Sequence, residues 1–205
     1  MARAREHTHE HHLDRRLLLQ PRWPRLREGL AGLRGKEGPE IREDRVRTFA
    51  QQQVLIFGAT TFREFRTYVK EYDEPYYQSL NELPKIVFSS TLDPENPGWE
   101  NSTVLHEDAV TAVERLKRTT DVPMRSHGSI TLNRALLAAG LVDRLEVMVF
   151  PAITGRAGYA ALFDDGAEFD LDLIDTTVLD GRTVKLTYAP HVHGEIPEGA
   201  GPRRR

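Results

Sequence analysis

The sequence predicts an α/β fold in which helices cover both faces of a mostly parallel, twisted sheet. Apolar segments of strand character alternate with helical segments through the middle of the chain, as repeated βαβ units require. Three of the apolar segments end in Gly or Ser clusters. Near the end, Asp180-Gly181 joins two alternating segments, which predicts an antiparallel β-hairpin at the edge of the sheet.

The composition is that of an ordinary soluble domain. The 205 residues are 39% hydrophobic and 29% charged, enough for one domain with a sizeable core. No apolar run approaches the ~20 residues that span a membrane, so we expect no membrane partner, and the cytoplasm is the default location. Cysteine is absent, which excludes disulfides and thiolate metal ligands. The net charge is −3, with an acidic body and basic ends, and an acidic body argues against binding nucleic acid.

Residues 1–42 are predicted to be an atypical basic arm that is disordered or loosely attached. Pro and Gly interrupt most of this stretch. Leu17–Leu19 could start a short helix, which Pro21 would end. Four histidines could hold a metal, but nothing fixes their geometry, so we expect solvated side chains and no metal site. These histidines are His7, His9, His11 and His12.

A helix is predicted from Glu43, followed by the buried strand VLIFG at 54–58. Ala59, Thr60 and Thr61 then open a second helix around Phe62–Tyr68. The first amides of such a helix have no intrahelical partner and carry the positive end of its dipole, so they can bind phosphate. The alternative is that Thr60 or Thr61 only caps the helix.

The strand of KIVFSSTL, at 85–92, delivers three hydroxyl groups to its carboxyl end. In open α/β sheets ligands bind beyond the carboxyl ends of the strands, so Ser89, Ser90 and Thr91 could bind phosphate or ribose. The alternative is turn chemistry that leads into Asp93-Pro94.

A short strand at Asn101–Leu105 and a helix capped by Asp108 are predicted next. A strand at 122–127 then runs into Gly128, where a further helix begins and continues to Gly140. Gly128 permits a sharp turn and leaves no Cβ to block a ligand. Ser129 and Thr131 add hydroxyl donors to this second candidate anion site, although Ser129 could instead be an ordinary N-cap.

The last strand of the parallel part stops at Pro151, and a long loop follows to Gly166. Leu162 and Phe163 are predicted to anchor that loop to the body. Phe169–Leu179 and Thr183–Ala189 form the hairpin, and residues 191–205 are predicted to be a tail.

The quoted motifs together resemble the dihydrofolate reductase-like family. LIFGATTFREF (55–65), KIVFSSTL (85–92) and HGSITLNRALLAAGLVDRL (127–145) are similar to segments of the C-terminal reductase domain of the bifunctional riboflavin-pathway deaminase/reductase, RibD. The similarity covers about residues 50–190, in order. It implies a dihydrofolate reductase-like three-layer sandwich at 43–190, with a C-terminal β-hairpin.

The resemblance also implies NADPH as the cofactor, lying across the carboxyl edge of the sheet and supplying the hydride. The family's pyrophosphate cradle and ribose 2′-phosphate site map onto three segments of this chain. The implied cofactor-binding residues are Gly58, Ala59, Thr60, Thr61, Ser89, Ser90, Thr91, Gly128, Ser129, Ile130 and Thr131.

Two departures from the family pattern stand out. The family usually has Arg after the first glycine, where this chain has Ala59, so a charge-assisted phosphate contact is absent there. No segment of residues 1–50 matches the family's first strand, which would leave unpaired backbone in the middle of the sheet.

The implied activity is hydride transfer from NADPH to a small heterocyclic, pyrimidine- or pteridine-like substrate, as in riboflavin biosynthesis. A homodimer is plausible from the same resemblance. No residue matches the early acid of the classical reductases, and Glu43 and Asp44 are only the nearest by position. One alternative is a catalytically impaired nucleotide-binding relic, and another is a protein-interaction role for the basic arm.

Overall fold

The computed structural model describes residues 17–19, 37–151 and 168–193, in which eight strands form a single sheet. The strands are β1 (Leu17–Leu19), β2 (Val54–Gly58), β3 (Lys85–Phe88), β4 (Ser102–Leu105), β5 (Met124–Ser126), β6 (Arg144–Val149), β7 (Phe169–Leu179) and β8 (Thr183–Val192). The helices are α1 (Pro39–Phe49), α2 (Ala59–Glu71), α3 (Pro75–Glu82), α4 (Ala109–Thr119) and α5 (Ile130–Ala138).

The sheet order is β4-β3-β2-β5-β1-β6-β8-β7, and the first six strands in this order are parallel. Strand β8 pairs antiparallel with both β6 and β7, so the hairpin closes one edge of the sheet. The predicted α/β class, with a parallel sheet and a C-terminal hairpin, is therefore confirmed.

Strand β1 corrects two expectations about the N-terminal arm. Leu17–Leu19 is a strand and not the start of a helix, and it pairs in parallel with β5 on one side and β6 on the other. The sheet therefore has a strand at its centre, and the expected gap is absent. The four N-terminal histidines and the loop with Leu162 and Phe163 lie outside the described residues.

Helices cover the two faces of the sheet. On the first face, α1, α2 and α3 bury an aromatic-rich core that includes Phe49, Phe57 and Phe62. On the second face, α4 and α5 bury an aliphatic core around Ile56, Leu136 and Leu145. The alternation of Phe57 and Ile56 between the two cores follows from the two-residue period of a strand, and it explains why VLIFG is apolar throughout.

Local sequence signals explain some element boundaries and not others. Asp108 caps α4 as predicted, because its carboxylate accepts a hydrogen bond from the Thr111 amide at 2.9 Å. Helix α3 was not predicted, and it begins at Pro75, a residue suited to a first helical turn. Helix α1 begins at Pro39, four residues before the predicted start at Glu43. Strand β8 continues to Val192, past the predicted end of the domain.

Asp180 joins the hairpin to α1. Asp180 and Gly181 both have positive φ angles, 52° and 64°, as a tight hairpin turn requires. The Asp180 carboxylate accepts hydrogen bonds from the amides of Gly38 and Glu40, each at 2.9 Å, and the Glu40 carboxylate accepts from the Asp180 amide. The hairpin turn thereby caps a helix that lies about 140 residues earlier in the chain.

The described residues contain no helix long and apolar enough to cross a membrane. In the same ranges, no three His, Asp or Glu side chains are grouped so that they could hold a metal ion.

Candidate cofactor-binding site

Three predicted site segments meet at one edge of the sheet. Strands β3, β2 and β5 are neighbours and run parallel, so their carboxyl ends lie side by side. Gly58 pairs with Phe88, the residue before Ser89, and Ile56 pairs with Ser126, two residues before Gly128. We call this edge, formed by residues 58–61, 89–91 and 128–131, the rim.

The Gly58 backbone lies close to the Ser129 side chain, so two of these segments are in contact. A Cβ at Gly58 would lie 2.3 Å from the Ser129 Oγ and 3.1 Å from its Cβ, so a larger residue at position 58 would displace Ser129. Gly128 and Ser129 both have positive φ angles, 120° and 70°. A non-glycine residue with a positive φ angle is uncommon, and such positions are enriched at binding and catalytic sites. The Ser129 side chain thus fills the space beside Gly58, and the two turns form one continuous surface, which we call the cradle.

The hydroxyl groups of α2 and α5 do not cap these helices. Residue 58 is the N-cap of α2, and neither Thr60 nor Thr61 makes a side-chain cap. Ser129 occupies the N-cap position of α5, but its hydroxyl also makes no capping hydrogen bond. The capping alternative is therefore wrong for all three residues. Thr61 is only 2% exposed, so Thr60 presents the accessible hydroxyl of this turn.

The turn alternative does hold for Ser89. Its Oγ accepts hydrogen bonds from the amides of Thr91 and Leu92, at 3.1 and 3.0 Å, which fixes the turn after β3. This turn leaves Ser90 and Thr91 exposed at the rim. The Thr91 Oγ1 accepts a hydrogen bond from Arg63 Nη2 at 3.2 Å. Arg63 was not predicted as a site residue, although it lies one helical turn after Ala59.

A histidine and a tyrosine form a hydrogen-bonded pair beside the rim. His127 directly precedes Gly128, and its Nε2 lies 3.2 Å from the Tyr76 hydroxyl. The rings of Phe49 and Phe65 pack edge-on against the imidazole. Burial raises the pKa of Tyr76 well above its usual value, so the phenol keeps its proton at neutral pH. This pair was not predicted, because nothing in the sequence links α3 to the end of β5.

The two acidic residues named by position, Glu43 and Asp44, lie on α1 and not at the rim. The Asp44 side chain is buried and lies 2.6 Å from Lys185 Nζ and 3.0 Å from Arg47 Nη2. Both ion pairs engage this carboxylate in contacts of the fold, with Lys185 on β8 and with Arg47 on α1 itself. Glu43 is exposed on the outer side of α1. The carboxylate of Asp44 therefore links α1 to the hairpin.

Deeper in the sheet, Arg125 on β5 donates hydrogen bonds to Gln53 Oε1 at 2.9 Å and to Glu146 Oε2 at 3.0 Å. Glu146 is on β6, so this ion pair spans the position of β1 between the two strands. It ties the centre of the sheet together on the face that α1 covers.

Comparison with known proteins places these features in a family. The family model described as "RibD C-terminal domain" matches residues 31–185. Curated protein sequences give no match to this chain.

Solved structures of low sequence identity share the fold. A riboflavin biosynthesis protein from Shewanella sp. PV-4 is 16% identical with a TM-score of 0.66, over 86% of this chain and 99% of that chain. RibD from Acinetobacter baumannii is 18% identical with a TM-score of 0.58, over 86% of this chain and 58% of that chain. Dihydrofolate reductase from Enterococcus faecalis, complexed with NADP(H), is 14% identical with a TM-score of 0.52, over 86% of this chain and 97% of that chain.

Proposed function

Because the chain belongs to the RibD C-terminal domain family, we propose that it is an NADPH-dependent reductase acting on a small heterocyclic substrate. The substrate would be pyrimidine- or pteridine-like, as in riboflavin biosynthesis, and the cofactor would supply the hydride. The protein itself would bind and orient the cofactor and the substrate, and it would exclude water from them. We expect a cytoplasmic enzyme with no nucleic-acid partner.

The rim is the observation that supports this proposal. A dinucleotide diphosphate needs a concave surface of peptide amides that can approach it closely. The turns at Gly58 and Gly128 bring the first amides of α2 and α5 to one edge, and Thr60, Ser129 and Thr131 add hydroxyl groups to the same turns. Ser90 and Thr91 extend the same surface towards the outer strands. These residues fit the phosphate-bearing part of NADPH.

Two measurements, made one after the other, test the proposal. Titration of the full-length chain with NADPH, followed by cofactor fluorescence, should show saturable binding. Absence of binding at millimolar NADPH would sink the proposal. Oxidation of NADPH in the presence of a panel of pyrimidines and pteridines would then identify the substrate class.

The alternative of a nucleotide-binding relic loses one of its two supports. It rested on a missing first strand and on Ala59, and β1 now occupies the centre of the sheet. Ala59 remains as a departure from the family. NADPH binding without turnover across the whole panel would favour the relic over the enzyme.

We also propose a homodimer through the hairpin. The β7–β8 register places Leu171, Leu173 and Val178 on the same face as the β8 residues that pair with Leu145, Val147 and Val149. Several of these side chains are exposed, with Leu173 at 58% and Val178 at 57%. The charged residues of β7 point to the opposite face, so this face is apolar except for Thr176 and could pair with its copy about a two-fold axis. Sedimentation should show a dimer that Leu173→Asp dissociates and that Asp172→Asn, on the charged face, leaves intact.

A further inference from the structure

Arg63 is positioned to bring a positive charge to the outer end of the rim. It lies on α2, one helical turn beyond Ala59, and its guanidinium reaches from this helix to the turn after β3. There it donates to Thr91 Oγ1 at 3.2 Å, and that oxygen lies 3.5 Å from Ser89 Oγ. One guanidinium and two hydroxyls therefore converge beside the exposed Ser90.

The charge of Arg63 is not used by a carboxylate in the part of the chain that the structure describes. Arg45, Arg47, Arg115 and Arg125 each form a salt bridge to Asp or Glu. Among residues 17–19, 37–151 and 168–193, the neutral Thr91 hydroxyl is the one side-chain partner of Arg63, whose side chain is exposed. An ion pair would compete with a ligand for the guanidinium, and here no such competitor is in place.

The surrounding chemistry suits a phosphate monoester. A guanidinium donates in a fork that matches two phosphate oxygens, and neighbouring hydroxyl and amide donors can complete the shell. The cradle of Gly58 and Gly128 lies at β2 and β5, whereas Arg63 and Thr91 meet at β3, one strand further out. A phosphate held by Arg63 is therefore distinct from a diphosphate held in the cradle.

We infer that Arg63 is the residue that selects a cofactor bearing a 2′-phosphate on its adenosine ribose. It would supply from the second turn of α2 the positive charge that Ala59 lacks at the start of the helix. This inference rests on the proposed reductase function, and it adds the residue that sets the preference for NADPH over NADH.

The test compares cofactor binding by Arg63→Gln, Arg63→Lys and wild type. Fluorescence titrations with NADPH and NADH give the affinity ratio, and calorimetry with 2′,5′-ADP against 5′-AMP probes the adenosine half alone. We expect Arg63→Gln to weaken NADPH and 2′,5′-ADP roughly tenfold to a hundredfold, the loss of one or two charge-assisted hydrogen bonds. NADH and 5′-AMP should change by less than about twofold, and Arg63→Lys should be intermediate.

Arg66→Gln is the matched control, because Arg66 lies on the same helix but donates to the Pro97 carbonyl at 2.8 Å. It should leave the NADPH-to-NADH ratio unchanged. An equal loss of NADPH and NADH in Arg63→Gln, or no loss, would overturn the assignment of Arg63 while wild-type binding still supports the reductase. A wild-type protein that binds neither dinucleotide would overturn the proposed function itself.

Discussion

Gly58 determines whether the rim can stay open. Its missing side chain leaves room for Ser129, whose Oγ would lie 2.3 Å from an added Cβ. The preference for glycine at this position therefore comes from a contact between two turns that are about 70 residues apart in the chain. The sequence could mark Gly58 and Gly128 as candidate phosphate-binding glycines, but only the parallel pairing of β2 with β5 brings them together.

Gly58→Ala should destabilise the fold by about 1 to 3 kcal/mol, the usual cost of overpacking. It should also weaken NADPH binding, because Ser129 must move into the cradle. In the double variant with Ser129→Gly, the Oγ and Cβ that clash with the new methyl are gone. Urea unfolding of wild type, both single variants and the double variant completes a double-mutant cycle. We expect the changes in the free energy of unfolding to depart from additivity by about 1 kcal/mol or more. Strict additivity would show that the two turns do not touch.

Lys85 lies at the start of β3, away from the rim, and it makes the free energy of unfolding depend on pH. It is 1% exposed and donates to the carbonyls of Asn81, Leu83 and Glu100 at 3.0, 2.6 and 3.1 Å. Burial lowers its pKa from 10.5 to about 8. Between these values the unfolded chain binds more protons than the folded chain, so this group makes the free energy of unfolding rise with pH from about 8 towards 10.5.

Lys85→Met should lack that rise and should be less stable than wild type near pH 7, because three carbonyls lose their donor. The measurement is urea unfolding of both proteins at pH 7, 8.5 and 10. We expect the stability difference in favour of wild type to grow with pH. A difference that stays constant across this range would mean that Lys85 keeps its ordinary pKa in the folded protein.

At the scale of elements, local signals predicted those structures that local chemistry decides. Asp108 caps its helix, and Asp180-Gly181 makes its turn, because both effects depend on neighbouring residues. Strand β1 was not predicted, because its structure depends on residues that are distant in the sequence. Three consecutive leucines favour a helix as readily as a strand, and their strand state depends on pairing with β5 and β6, which lie more than 100 residues later.

For Asp180, the local role was predicted from the sequence and the long-range role was not. The sequence identified its turn but gave no sign that its carboxylate would cap α1. Asp180→Ala should cost about 1 to 2 kcal/mol, since two amides at the start of α1 lose their acceptor. Chemical denaturation measures this loss. Asp175→Ala is the control, because Asp175 accepts from Thr177 on its own strand, and it should have little effect. Equal effects of the two substitutions would contradict the capping role.

At the scale of the whole molecule, β1 joins the two halves of the sheet. Without it, β5 and β6 would each expose an unpaired edge at the centre. Leu18→Pro removes a backbone donor between two parallel partners, and a central strand does not accommodate proline. We expect a loss of about 3 kcal/mol or more, or failure to fold, measured by circular dichroism and thermal unfolding.

Ile174→Pro is the control for that prediction. Ile174 lies at the irregularity between Leu173 and Asp175 on β7, an edge strand, where proline is better tolerated. A Leu18→Pro protein as stable as wild type would show that residues 17–19 do not complete the sheet. It would also restore the argument for a relic that lacks its first strand.

The central claim is that the ends of three neighbouring strands form one site for a dinucleotide. Hydrogen–deuterium exchange of the full-length chain, with and without NADPH, tests it most directly. We predict that the cofactor protects the amides of residues 58–61, 89–91 and 128–131 together, at one common saturation midpoint. Protection of only one of these segments, or protection confined to another part of the chain, would contradict the shared site and the reductase function built on it.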